Sequence, residues 1–201
     1  MIRVILVLLL AVVVSSVPYL NIPFLWFTTL FHESGHALTT VLSGGQVHKL
    51  VLRMNGSGYC LSQGGVAWLI ALAGYPAASL CGAVLLRASS RRQRRPLPWL
   101  LLMAWTLLAM LLWARDPLTI LLMLLCLPLL WLGGRQPPLG LLLAALLIVN
   151  ALLSPFNLLF REPGDSLILS TMTGLPAWLY VLLWLLVGLL SLQWALKGVK
   201  R

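Results

Sequence analysis

Long apolar runs, punctuated by prolines and short polar clusters, follow one another from Ile2 to Leu196. The punctuation predicts seven apolar segments, at residues 2–20, 23–42, 65–88, 98–114, 117–132, 138–153 and 176–196. A membrane helix needs roughly 17–25 residues. The fourth to sixth segments sit at the short end of that range, so six or seven spans are expected.

Between the second and third segments the period changes. In GGQVHKLVLRMNGSGYCLSQGG, Leu50, Leu52 and Met54 alternate with Val51 and Arg53, which is strand periodicity. Asn55-Gly56 and Ser57-Gly58 supply turn chemistry. A short β-hairpin is predicted, bracketed by Gly44-Gly45 and Gly64-Gly65, which serve as turns or as hinges. A bare strand edge cannot face lipid, so the hairpin must face protein or a water-filled cavity. In the third segment Ala78 and Gly82 form a small-xxx-small pair suited to close helix packing.

Composition agrees with the pattern. The chain is 61% hydrophobic and 9% charged, whereas soluble domains average about 45–50% apolar and about 25% charged residues. An all-α, multi-pass integral membrane protein carrying one hairpin is expected, as a single domain over residues 1–201. The first run has some signal-peptide character but lacks a clear A-x-A site and is long enough to span, which favours a retained helix. The net charge of +10 comes from basic residues placed between apolar runs, the mark of cytoplasmic loops, and predicts no nucleic-acid partner. In a seven-span arrangement residues 87–95 share one side with Lys197, Lys200 and Arg201. The hairpin and the 157–165 loop then lie together on the other. Cys60, Cys81 and Cys126 are scattered, with no disulfide or zinc-type spacing.

The chain has 3 histidines and 4 acidic residues, and three of these seven fall in His32-Glu33-Ser34-Gly35-His36. On a helix the two histidines are one turn apart and project from one face toward one point. Charged and metal-binding groups are costly in a membrane, so this H-E-x-x-H pattern points to a metal site. Zinc in such a site lowers the pKa of its bound water to about 7, and Glu33 is placed to act as general base. Catalytic zinc needs a third protein ligand, and the candidates are His48, Asp116, Glu162 and Asp165. Asp116, beside Arg115, reads as half of a helix-end ion pair, and Glu162 adjoins Arg161. Asp165 follows a Pro-Gly turn and opens an apolar run, so an N-cap role is equally open.

HESGH in an apolar helix, the glycine-bracketed hairpin and NLLFREPGD late in the chain together resemble the site-2 protease family of intramembrane zinc metalloproteases. The layout is similar to the compact bacterial-type branch that lacks a PDZ domain. That family's second motif runs N-x-x-P-x-x-x-x-D-G, and Asn157 to Asp165 keeps its Asn-to-Asp spacing. Phe160 stands where the motif has proline, and Ser166 where it has glycine. The resemblance implies one zinc ion held by His32, His36 and Asp165, with Glu33 as base and Asn157 orienting substrate. It further implies a hairpin that offers a strand edge at Leu50, Val51 and Leu52 to an unwound transmembrane substrate, in a bacterial cell membrane. Two other readings stay open: a protease of another H-E-x-x-H clan with Glu162 as ligand, and a non-proteolytic metal-binding scaffold or transporter.

Overall fold

Prolines open several of the helices. In chain order the elements are α1 (Ile2–Ser15), α2 (Pro18–Leu42), β1 (Gln46–Leu52), β2 (Gly58–Gln63), α3 (Ala67–Ser90), α4 (Leu97–Trp113), α5 (Pro117–Arg135), α6 (Pro137–Asn157), α7 (Asp165–Thr173) and α8 (Ala177–Lys197). Pro18, Pro117 and Pro137 stand at the first helical position, where a missing N–H costs nothing and the fixed φ suits the helix. This computed structural model describes residues 2–90, 96–157 and 164–198, with the side chain of Asn157 outside it. Arg91 to Arg95, Phe160, Glu162, Lys200 and Arg201 lie outside the described residues.

Among the described residues α3, α5, α6 and α8 are long and apolar enough to cross a membrane. Helices α1 and α2 pass the same test together but meet at 110°, and α4 is a shorter apolar helix. The expected six or seven spans is therefore an approximate count. The break falls at Ser16–Val17 before Pro18, earlier than the linker predicted before Pro23, which lies inside α2. Asn21, predicted to be linker, is instead a buried residue of α2's first turns. Its amide exchanges hydrogen bonds with that of Asn150 in α6, at 3.0 and 2.9 Å, and also reaches the Ser15 carbonyl at the end of α1 at 3.3 Å.

Helix α3 packs against α2, α6 and α8. Small residues allow this: a Cβ at Gly82 would meet the Ile148 backbone nitrogen at 2.8 Å, and one at Gly35 would meet Ala77 Cβ at 2.6 Å. Gly82 of the predicted pair thus faces the interface with α6, while Ala78 lines a cavity beside His32. At its basic end, Arg87 donates to the Trp194 carbonyl at 3.0 Å and stacks 4.4 Å over that indole. This brings Arg87 beside the last turn of α8, where Lys197 lies.

The hairpin forms as predicted, an antiparallel pair with Leu50 opposite Cys60, Val51 opposite Tyr59 and Leu52 opposite Gly58. Asn55 Oδ1 closes its turn by accepting from Ser57 N at 3.1 Å and Ser57 Oγ at 2.8 Å. Met54 lies in this exposed turn, outside the strand. Helix α2 holds the turn through Trp26 Nε1 to Met54 O at 3.3 Å and Thr29 Oγ1 to Gly56 O at 2.5 Å. Gly64 and Gly65 take φ of +73° and +74°, the left-handed region that only glycine enters cheaply, and so make the exit turn.

Candidate metal centre

Three side chains from two distant segments converge at the middle of α2. His32 Nε2 and His36 Nε2 are 3.0 Å apart, as expected for one helical turn. Asp165 Oδ2, at the first residue of α7, lies 3.1 Å from His32 Nε2 and 3.3 Å from His36 Nε2. Asp165 is not the helix cap, since Gly164 occupies that place. Among the described residues these three form a group able to hold a metal ion.

Proton counting tests the fit. His36 Nδ1 lies 2.6 Å from the Ile70 carbonyl, so that nitrogen carries a hydrogen, and in the neutral ring that a metal ligand requires Nε2 is a bare lone pair. His36 Nε2 and the Asp165 carboxylate then face each other as two acceptors. One proton on His32 Nε2 can bridge only one of its two contacts within the triangle. A cation satisfies all three lone pairs together. Tetrahedral zinc with ligands at about 2.0–2.1 Å sets them about 3.4 Å apart, close to the spacing here. The Ile70 carbonyl also supplies the outer hydrogen bond that fixes a ligating imidazole. The donor set fits zinc.

Glu33 is buried beside this triangle and lines a cavity together with Cys60 of β2. Two cavities, of about 370 and about 440 Å³, meet at Glu33, Gly58 and Asp165. The first adds Thr28, His32, Tyr75 and Ser154, and the second adds His36, Cys60, Ser62 and Ile70. Burial pushes the Cys60 thiol up to about 12, so at neutral pH it is an uncharged neighbour of Glu33.

The remaining predicted residues are placed differently. Strand β2 borders the cavities, and β1 does not. Leu50 and Leu52 are 0% exposed, and the Leu52 amide already donates to Thr119 Oγ1 at 3.0 Å. The β1 edge at Leu50–Leu52 is therefore turned into the protein, and offering it to a substrate would break a buried hydrogen bond. Among the described residues the strand that borders the two cavities is β2. Asp116 caps α5 by accepting from Thr119 N at 2.9 Å, and among the described residues it makes no ion pair with Arg115. Arg115 instead bonds the carbonyls of Leu111, Leu112 and Ala114. His48 pairs with Gln63 on the exposed hairpin, away from the triangle. Asn157 ends α6, but its expected contact with substrate, like the Glu162 alternative, falls outside the described residues.

Sequence reading missed Ile70, Gly74 and Tyr75, which α3 lays across the histidines. The available signal was the small-residue series itself, which begins one turn before Ala78, at Gly74.

No curated protein and no solved structure matches the chain. The sequence profile described as Peptidase M50B-like matches residues 5–195, nearly the whole length. With a H-E-x-x-H helix, a converging aspartate and apolar helices long enough to cross a bilayer, the chain belongs to the Peptidase M50B-like family, the site-2 proteases, which are intramembrane metalloproteases.

Proposed function

We propose that this chain is a zinc endopeptidase that cuts a peptide bond within or beside a transmembrane segment of a membrane protein. The observation that carries the reading is the 3.0–3.3 Å triangle of His32, His36 and Asp165 with Glu33 buried at its side. His32, His36 and Asp165 would hold the metal. When bound there, zinc acts as a Lewis acid and makes a water nucleophilic at neutral pH.

Glu33 takes the proton of the attacking water and delivers it to the leaving nitrogen. A transmembrane helix keeps its carbonyls in internal hydrogen bonds, so it must unwind locally before hydrolysis, and the freed groups then need partners. The edge of β2 at Gly58, Cys60 and Ser62 runs along the cavities and can supply them by strand addition. Asn157, at the end of α6, is assigned to substrate orientation through the family motif.

The test is zinc per chain together with cleavage of a membrane-embedded reporter. Wild type should hold one zinc and cut. Glu33→Gln should hold zinc with cleavage reduced roughly 10²–10⁴-fold. Asp165→Ala should lose zinc, and Glu162→Ala should keep it. Zinc lost only from Glu162→Ala would instead assign the third ligand to Glu162 and the chain's chemistry to another H-E-x-x-H arrangement.

A further inference from the structure

Tyr75 lines the same cavity as His32, Glu33 and Asp165. It is 9% exposed, yet among the described residues its hydroxyl has no hydrogen-bond partner. A buried phenol that finds no partner is costly, and buried polar groups are almost always paired. The other buried tyrosine shows the usual outcome, since Tyr180 bonds Thr173 Oγ1 at 2.5 Å. The Tyr75 oxygen is not sealed in protein either, because it is absent from the enclosed, unpaired oxygens of Ser15, Ser34, Ser79 and Ser89. It opens to the cavity.

The ring that carries this hydroxyl is held on two sides. It meets His32 edge-on at 4.4 Å and Trp184 at 4.5 Å. The next residue, Pro76, has no N–H for the Leu72 carbonyl, and Trp184 Nε1 fills that vacancy at 3.1 Å. Trp184 therefore both props the aromatic ring and repairs the helix beside it. The result is a rigid, unspent donor next to the candidate ligands. An ordinary phenol, with pKa about 10, keeps its hydrogen at neutral pH.

We propose that Tyr75 is a further catalytic residue, whose phenol donates a hydrogen bond to the scissile carbonyl oxygen as that oxygen gains negative charge. The assignment rests on the proteolytic reading above. Tyr75 keeps its own proton throughout. The carbon–nitrogen bond breaks while the water's proton passes through Glu33 to the leaving nitrogen, and the phenol only stabilises the charge on oxygen. A donor fixed in advance contributes more than the same bond in water, because it needs no reorganisation.

Tyr75→Phe is the test, because it keeps the ring against His32 and Trp184 and removes one oxygen. Three quantities are read: zinc per chain, kcat and KM on the reporter, and affinity for a phosphinic peptide that mimics the tetrahedral intermediate. Zinc and KM should be unchanged, and kcat should fall roughly 10²–10³-fold, the usual effect of removing one oxyanion donor. Phosphinic-peptide affinity should fall with kcat, while affinity for an uncleaved substrate peptide in the Glu33→Gln background stays level. Wild-type kcat in Tyr75→Phe overturns the proposal. So does zinc lost in proportion to activity, which would make the residue a packing support for His32. A wild type that neither holds zinc nor cuts would overturn the proteolytic reading itself, and this proposal with it.

Discussion

Gly74 lies directly against His32: a Cβ on that glycine would sit 2.5 Å from His32 Cε1, and 2.6 Å from His36 Nε2. The two imidazoles occupy the space a side chain would take, so α3 can cross α2 here only on a residue without one. Gly74→Ala suits a helix better by intrinsic propensity, yet it must push one or both rings out of the triangle. Zinc affinity should fall roughly 10–100-fold, the range seen when ligand orientation is disturbed, with helical circular dichroism unchanged. Graded chelator competition on the purified protein measures this. Wild-type affinity in Gly74→Ala would mean that the histidines yield without loss.

Strand β2 and strand β1 make opposite predictions about where a substrate docks. Ser62 borders the cavity that contains Glu33 and Asp165, whereas the amide of Leu52 is committed to Thr119. In a Glu33→Gln, Cys60→Ser background, Ser62→Cys should form a disulfide with a cysteine near the scissile bond of a bound substrate, several-fold more than Val51→Cys does. Mass spectrometry of the cross-linked pair reads the result. Equal or greater yield at Val51 would return the substrate to β1.

The difference between these strands shows what a single sequence can and cannot carry. HESGH was legible because helical spacing alone puts His32 and His36 on one face. Asp165 was reachable because its distance from Asn157 follows a family motif. The hairpin was legible from alternation and turn residues, but both of its edges look alike in sequence. Which edge stays open is decided by Thr119, a residue of α5 that is 67 positions from Leu52. Gly74 and Tyr75 were hidden for the same reason, since their roles arise only where α3 crosses α2. The start of α2 was misplaced because Pro18 and Pro23 are equivalent punctuation in the pattern. Tertiary contact, with Asn21 engaging Asn150, draws the earlier one into the helix.

That amide pair supplies the last prediction. Asn21 and Asn150 are buried and satisfy each other, so removing Asn21 strips the Asn150 amide of both bonds, and removing Asn150 leaves Asn21 with only the Ser15 carbonyl. Single hydrogen bonds between membrane helices average only ~0.6 kcal/mol, because an unfolded chain in the membrane also finds partners. Two reciprocal bonds, with the same Asn21 amide also meeting the Ser15 carbonyl, should exceed that value. Asn21→Ala and Asn150→Ala should each destabilise the protein by about 1–3 kcal/mol, and the double variant by less than their sum, with a coupling of about 1–2 kcal/mol. Reversible unfolding in mixed micelles measures the cycle. Zinc content should stay at the wild-type level, because Asn21 lies roughly 16 Å along α2 from His32. Strict additivity would show that each amide finds another partner, and the 110° bend between α1 and α2 would then need a different anchor.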